Sequence, residues 1–222
     1  MQHPMLIAHH LIFTLYGWWL PNDPRGSYSR VVRNDVLREL GELHYGRKKV
    51  QPPSAAIRQF YNDARDRLSF ELREFRQEEL GVAASGFAQA VAARNYTCYA
   101  CAIMPDHVHL LIRKHRDSAE EMIEKLQQHG RGHVLAAGMR PPDHPVWTRS
   151  GWRVFLGHPE EVRRTIRYIE ANPLKIAWER QAWGFVKPYD NWPLHPGHNP
   201  NSPYARRLRS LGRCPQDGCP AG

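Results

Sequence analysis

The sequence IMPDHVHLLIRKH, residues 103–115, constrains the fold more than any other stretch of the chain. A strand-like run, NYTCYACAI at residues 95–103, ends at a tight Met-Pro-Asp turn, and a second apolar run follows, which predicts a β-hairpin. Successive side chains of a strand point to opposite faces, so His107 and His109 share one face and the apolar residues share the other. Two imidazoles side by side form a chelating pair that suits a divalent metal better than an apolar core.

Strand histidines also have a structural interpretation, in which each ring bonds a backbone carbonyl or meets solvent. The chain contains 13 histidines, so pairs arise by chance. His9 and His10 form one such pair, and because neighbours on a strand point to opposite faces we interpret them as structural. The pair at 107 and 109, taken alone, leaves both a metal site and a structural role open.

The periodicity of apolar residues predicts a mixed α+β chain. In order, the predicted elements are a strand at residues 6–16, helices at 59–80 and 82–94, strands at 95–103 and 107–113, a helix at 118–136, a strand within 146–156 and a helix at 159–171. This order predicts a ferredoxin-like fold, a split βαβ antiparallel sheet with helices on one face.

The turn-rich sequence after the first strand makes residues 21–80 an insertion with a helical arm. We therefore expect one domain over residues 1–195. Residues 196–222 are basic and are predicted to form a disordered tail.

Charge and cysteine usage narrow the class of protein. The chain has 31 Lys and Arg against 22 Asp and Glu and a net charge of +9, which favours a polyanionic partner, although a merely basic soluble protein has the same composition. Cys98 and Cys101 lie three residues apart in a predicted strand and should point to opposite faces, which argues against a zinc knuckle and favours free thiols. The N-terminal apolar run lacks a basic flank and a cleavage site and is too short to span a bilayer, so we expect a cytoplasmic protein without membrane contact.

The last predicted helix carries a tyrosine and an asparagine on one flank of its apolar stripe. Tyr168 and Asn172 are four residues apart, so their side chains lie together. A tyrosine at such a position is commonly an amphipathic edge residue with its hydroxyl in water. The alternative is a nucleophile, and the combination with the histidine pair favours it.

MPDHVHLLI, then Trp147, then RRTIRYIEANPLK resemble the His-hydrophobe-His and Tyr-x-x-x-Asn-Pro motifs of the REP-associated tyrosine transposases, which are IS200-like, single-tyrosine HUH transposases. The resemblance covers the first strand and roughly residues 87–180. It implies a ferredoxin-like fold, single-stranded or hairpin DNA as substrate, a divalent metal, a homodimer and a nucleoid-associated location. The insertion near residues 21–58 departs from the family pattern.

Carried over by position, the resemblance implies that His107, His109 and Asn172 are metal ligands and that Tyr168 is the nucleophile. The implied reaction cleaves one DNA strand, leaves a 5′-phosphotyrosine and a free 3′-OH, and can rejoin strands without ATP. The implied metal is Mg²⁺ or Mn²⁺, which would polarise the scissile phosphate. Basic residues surround the tyrosine helix as a DNA phosphate track would, or as a solvated face: Arg163, Arg164, Arg167, Lys175 and Arg180.

Two other functions compete with a DNA transposase. One is a domesticated protein that binds single-stranded DNA or RNA hairpins without cutting them, and the presence of His107, His109 and Tyr168 argues for retained cleavage. The other is a zinc hydrolase that uses the His-x-His pair as its first ligands. That class supplies further His or Asp close behind, whereas Leu110, Leu111 and Ile112 follow here.

Overall fold

The computed structural model describes residues 6–27, 35–149, 151–193 and 206. Its strands are β1 (Ala8–Thr14), β2 (Cys98–Ile103), β3 (His107–Arg113) and β4 (Trp152–Leu156). Its α-helices are α1 (Asp35–Arg38), α2 (Ser54–Arg65), α3 (Leu80–Arg94), α4 (Ala119–Ala136) and α5 (Pro159–Ala171), with 3-10 turns at Gln77–Glu79 and Pro173–Ile176. The tail predicted over residues 196–222 lies outside the described residues apart from Arg206.

The four strands form one antiparallel sheet in the order β2-β3-β1-β4. β3 lies between β1 and β2, which is the arrangement of a split βαβ unit. The α+β, ferredoxin-like prediction is therefore confirmed. The pairing of β1 with β3 places Thr14 opposite His107 and Ile12 opposite His109, so the histidine pair lies on an inner strand, beside the C-terminal end of β1.

Helices cover both faces of this sheet. The crossover helices α3 and α4 share one face, where Phe87 and Leu126 pack against Phe13 and Leu110 in the larger core cluster. The predicted placement of the helices on one face applies to α3 and α4 but not to α5. α5 follows the fourth strand and packs on the opposite face, where Val162 and Ile169 meet Leu111. That second face is the one that carries His107 and His109.

Side-chain caps set the ends of the helices near the site. The predicted capping box of α4 is confirmed, because Glu121 N donates to Ser118 Oγ at 3.2 Å and Ser118 N donates to Glu121 Oε2 at 2.7 Å. α5 begins with Pro159 at its first position and ends at Ala171, with Asn172 as its C-terminal cap immediately before Pro173. These local signals explain why both helices were predictable from sequence.

Two local predictions are wrong. The helix predicted over residues 59–80 ends at Arg65, and its last apolar residues lie in an irregular segment whose Phe75 N donates to Pro105 O at 2.8 Å. Tertiary packing overrides helical periodicity there, because Phe75 is buried in the main core. Cys98 and Cys101 do not point to opposite faces, since a register shift after Cys98 interrupts the alternation and both thiols lie in the same cluster.

The insertion is attached to the end of β1 by a buried polar network. Trp19 N donates to the Tyr61 hydroxyl at 2.8 Å, and that hydroxyl donates to the buried carboxylate of Asp23. Arg25 holds the same carboxylate with two hydrogen bonds of 2.8 and 2.7 Å, and its guanidinium lies 3.7 Å from the centre of the Trp19 ring. The first part of the predicted surface insertion is therefore anchored to α2.

None of the helices in the described ranges is both long and apolar enough to cross a bilayer.

We predict that Gly86→Ala lowers the free energy of unfolding by about 1–3 kcal/mol, because an added Cβ meets backbone rather than a movable side chain. That Cβ would lie 2.6 Å from Gly130 Cα and 2.7 Å from His129 O, so α3 and α4 would have to separate. Gly132→Ala is the control, since a Cβ there meets nothing within 4 Å and alanine favours a helix interior by about 1 kcal/mol. Urea denaturation measures both. Equal stability of the two variants would contradict the close helix contact.

Candidate active site

The structure brings His107 and His109 together on the α5 face of β3. Their Nε2 atoms are 3.1 Å apart, and the ring centroids are 4.8 Å apart. Two imidazole nitrogens that bind one divalent ion at about 2.1 Å each lie about 3 Å from one another. The two rings therefore already converge on one point at the spacing that chelation requires.

The other nitrogen of each ring is held by a polar neighbour. His107 Nδ1 lies 2.6 Å from Asp106 Oδ1, and His109 Nδ1 lies 3.0 Å from His10 Nε2. Partners of this kind fix the orientation and tautomer of a metal-binding histidine. His10, interpreted as structural from the sequence, thus contacts the candidate site directly, whereas His9 points to the other face of the sheet and packs edge-on against Phe155.

If all three rings are neutral, these contacts allow two proton arrangements. An ionised carboxylate only accepts, so a neutral His107 donates from Nδ1 to Asp106 and keeps a lone pair on Nε2. In one arrangement His10 Nε2 donates to His109 Nδ1, and His109 Nε2 donates to His107 Nε2. In the other, His109 Nδ1 donates to His10 Nε2, and two Nε2 lone pairs face each other. Only the second arrangement can accept a metal ion, and it requires a tautomer change without a change of net charge.

Burial favours the neutral rings that metal binding needs. Burial lowers the pKa of His10 to about 4. Burial, followed by the nearby charges of His107, His10 and Lys175, holds the pKa of His109 well below its ordinary value. Burial by itself would raise the pKa of Asp106, but the hydrogen bond and charge of His107, with the charge of Arg25, lower it overall. The centre thus combines the ionised carboxylate of Asp106 with the neutral imidazoles of His10 and His109.

Tyr168 of α5 lies beside the histidines. Its ring is edge-on to His109, with centroids 5.6 Å apart, and edge-on to His10, with centroids 6.1 Å apart. Tyr168 is nevertheless 46% exposed to solvent. A phenol in this position is accessible to a large substrate and adjacent to the chelating pair.

Lys175, predicted from the sequence as one of several phosphate-binding residues, directly contacts both Tyr168 and Asn172. Its Nζ lies 4.4 Å from the centre of the Tyr168 ring and donates to Asn172 Oδ1 at 2.8 Å. The 3-10 turn that follows α5 brings the lysine back over the tyrosine. The ammonium group therefore adds a positive charge next to the phenol.

Asn172 is buried at the end of α5 and is only partly satisfied. Its Oδ1 accepts the Lys175 hydrogen bond, while its Nδ2 has no partner among the described residues. An unpaired buried amide N–H costs about 1–3 kcal/mol. The side chain therefore has one lone pair on oxygen and a free N–H for a further group, and its predicted role as third metal ligand stays a prediction.

The donor set fits a divalent metal. Within the described ranges, no group of three or more His, Cys, Asp or Glu side chains is arranged to hold an ion. The two converging Nε2 atoms and the partly unsatisfied Asn172 nevertheless form a partial donor set, which a divalent ion would have to complete with phosphate oxygen or water. The residues predicted as ligands are therefore compatible with that role.

The predicted phosphate-binding arginines differ in their surroundings. Arg163 pairs with Glu160 and donates to Asn191 Oδ1 at 2.6 Å, and Arg180 lies 3.6 Å from Glu170. Arg164 and Arg167 are exposed on α5 and make no ion pair with any residue that the structure describes. The guanidinium charges of Arg164 and Arg167 are therefore more available to a polyanion than those of Arg163 and Arg180.

No family model matches this chain, and no curated protein matches it. It is similar to the solved structure of a REP-associated tyrosine transposase bound to a REP hairpin, with 13% identity, a TM-score of 0.42, and coverage of 100% of this chain and 90% of that chain. It is also similar to a candidate transposase from Deinococcus radiodurans R1, with 12% identity, a TM-score of 0.38, and coverage of 77% and 93% respectively. Both TM-scores are below 0.5, and it is the strand order and register that define the fold of this chain.

The buried His10 predicts a pH dependence of stability when a chelator is present. Its folded pKa of about 4 is below the unfolded value of 6.5, so its stabilisation is present above pH 6.5 and is lost as the pH falls towards 4. From pH 7.5 to pH 5 this residue should account for about 2 kcal/mol of lost unfolding free energy. His10→Gln should remove that part of the slope in urea denaturation with EDTA. The exposed control His44→Gln should keep the wild-type slope, and an unchanged slope in His10→Gln would contradict the burial argument.

Proposed function

We propose that this chain is a single-tyrosine transposase that cuts and rejoins single-stranded DNA beside hairpins. Tyr168 is the nucleophile, and His107 and His109 bind the catalytic Mg²⁺ or Mn²⁺. The observation that carries the proposal is the position of the Tyr168 phenol, edge-on to His109 and beneath the Lys175 ammonium. A nucleophile, a chelating pair and a fixed cation side by side are the parts that phosphodiester transfer requires.

The reaction exchanges one phosphate ester for another. The Tyr168 oxygen attacks the phosphorus of the scissile phosphodiester, a tyrosine O–P bond forms, and the bond from phosphorus to the 3′ oxygen breaks. The phenol loses a proton and the 3′ oxygen gains one, so the products are a 5′-phosphotyrosine and a free 3′-OH. Because the ester bond is kept, a 3′-OH from another strand can reverse the step without ATP.

The residues around the phenol have separate roles in this step. When bound at His107 and His109, the divalent metal offsets the negative charge that develops on the phosphate. Lys175 supplies a second positive charge over the ring of the attacking tyrosine. Asn172 either completes the metal site through Oδ1 or donates from its unpaired Nδ2 to a phosphate oxygen.

Asp106 and His10 act on the reaction through the ligands. Asp106 keeps the proton of His107 on Nδ1, and His10 can accept the proton of His109 Nδ1. Both contacts leave Nε2 free for the metal, and losing such a partner commonly costs about 10–100-fold in metal affinity or activity. We assign both residues to positioning.

The proposed substrate is single-stranded DNA with a hairpin, and the proposed assembly is a homodimer. Exposed Arg164 and Arg167 extend a basic surface from the tyrosine along α5 and suit a strand backbone. Hairpin DNA is the substrate that the motif resemblance implies. One nucleophile per chain supports one cleavage at a time, so excision of an element from two ends is best served by a homodimer.

Tyr168→Phe should abolish strand cleavage and the covalent protein–DNA adduct while leaving folding and DNA affinity intact. The change removes one oxygen and keeps the ring contacts with His109 and Lys175. Cleavage of labelled single-stranded DNA from the flanks of the gene, with Mg²⁺ or Mn²⁺, is the measurement. Tyr45→Phe is the matched control, because Tyr45 is 55% exposed and lies in the insertion.

The outcomes of that assay separate the candidate functions. Loss of the adduct in Tyr168→Phe with normal cleavage by Tyr45→Phe supports the transposase. Undiminished cleavage by Tyr168→Phe shows that another group is the nucleophile. If the wild-type protein binds hairpin DNA or RNA but never forms an adduct, the chain is a binding protein that has lost the reaction.

The double variant Arg164→Ala/Arg167→Ala should bind single-stranded DNA more weakly and with less salt dependence. Each lost phosphate contact lowers the slope of log affinity against log salt by about 0.7 on single strands. Arg163→Ala is the control on the same helix, and it should change the slope less because Glu160 already neutralises that guanidinium. Fluorescence anisotropy at several salt concentrations measures the slopes. An equal or larger effect of Arg163→Ala would contradict the assignment of this surface.

A further inference from the structure

Three side chains from the two crossover helices meet at a second place, away from the tyrosine site. Gln89 of α3 lies opposite His129 and His133 of α4. Gln89 Oε1 is 3.1 Å from His129 Nδ1 and 3.0 Å from His133 Nε2. α3 and α4 cover one face of the sheet and the tyrosine site lies on the other, so the two groups are separate.

The backbone of the two helices fixes this convergence. His129 and His133 are four residues apart on α4, so their side chains lie on one helical face. α3 approaches that face closely at Gly86, where an added Cβ would lie 2.6 Å from Gly130 Cα. Gln89 is one helical turn from Gly86 and therefore reaches both rings.

The donor atoms have the composition of a transition-metal site, and the two distances from the amide oxygen to the ring nitrogens fit such a site. Imidazole nitrogen suits Zn²⁺, Cu²⁺ and Ni²⁺, and two histidines at i and i+4 of a helix are a known chelating pair for zinc. Ligand atoms that share an ion at 2.0–2.2 Å lie about 3 Å apart. The distances of 3.0 and 3.1 Å from the amide oxygen to the two nitrogens match that spacing.

We propose that Gln89, His129 and His133 form a binding site for a divalent transition-metal ion of the zinc class that ties α3 to α4. Each neutral imidazole has one bare nitrogen, so the two rings can present His129 Nδ1 and His133 Nε2 as ligands after a tautomer change. The amide oxygen of Gln89 is the third donor, and water completes the coordination. Half-buried histidines and an exposed glutamine leave the site open to ions in solution.

The expected consequence is metal-dependent stability of the helix pair. An ion that binds only the folded chain stabilises it in proportion to the logarithm of ion concentration above the dissociation constant. The ligands come from both helices, so the ion resists their separation. This inference is independent of the transposase proposal, since neither helix supplies a residue of the tyrosine site.

Zn²⁺ added to the full chain tests the site by equilibrium dialysis and by thermal unfolding. The double variant His129→Ala/His133→Ala should bind one Zn²⁺ fewer per chain than the wild type and should lose part of the zinc-induced rise in Tm. His133→Ala alone should weaken this binding at least about tenfold, which is the loss that even an indirect partner of a metal ligand causes. Gln89→Ala should weaken it less.

His44→Ala is the matched control, because it removes an exposed histidine from the insertion. Its zinc stoichiometry and its zinc-induced shift in Tm should equal those of the wild type. Unfolding in EDTA shows whether each variant folds normally, and His107→Ala shows which part of the bound zinc belongs to the tyrosine site. Equal zinc binding by wild type and His129→Ala/His133→Ala, in variants that fold normally, would overturn the proposal.

Discussion

The antiparallel pairing of β1 with β3 is the interaction on which the rest of the site depends. Its register sets Leu111 opposite His10 and Ile12 opposite His109, so the two histidines are diagonal neighbours on one face. A slip by one residue would move His10 to the other face and remove the partner of His109 Nδ1. The strand pairing therefore decides both the packing of the sheet and which group lies beside His109 Nδ1.

The two faces of the sheet are packed differently: one carries the larger apolar core and the other carries the candidate site. α3 and α4 pack against one face through large apolar residues and the close Gly86–Gly130 contact, and this side supplies most of the core. α5 packs against the other face through a smaller cluster and leaves room for polar side chains. Tyr168 extends from the edge of that smaller cluster, so the proposed nucleophile is held by a helix and is still exposed to a large substrate.

Sequence predicted the parts of the site that depend on local order. The alternation around His107 and His109 and the capping signals of α4 and α5 are contained within a few residues, and both are confirmed. The contact of His10 with His109 was missed because the two residues are 99 positions apart in the chain, and one sequence alone does not determine the register of distant strands. The bulge after Cys98 and the irregular segment that contains Phe75 were missed because tertiary packing overrides periodicity there. The return of Lys175 over Tyr168 depends on a 3-10 turn after Pro173 that periodicity does not predict.

Peptide mass spectrometry of the covalent product tests the central claim most directly. Wild-type protein is incubated with single-stranded DNA and Mg²⁺ or Mn²⁺, denatured, and digested with nuclease and trypsin. The account predicts a nucleotide attached to YIEANPLK, the peptide that begins at Tyr168 and ends at Lys175. A nucleotide attached to any other peptide would contradict it.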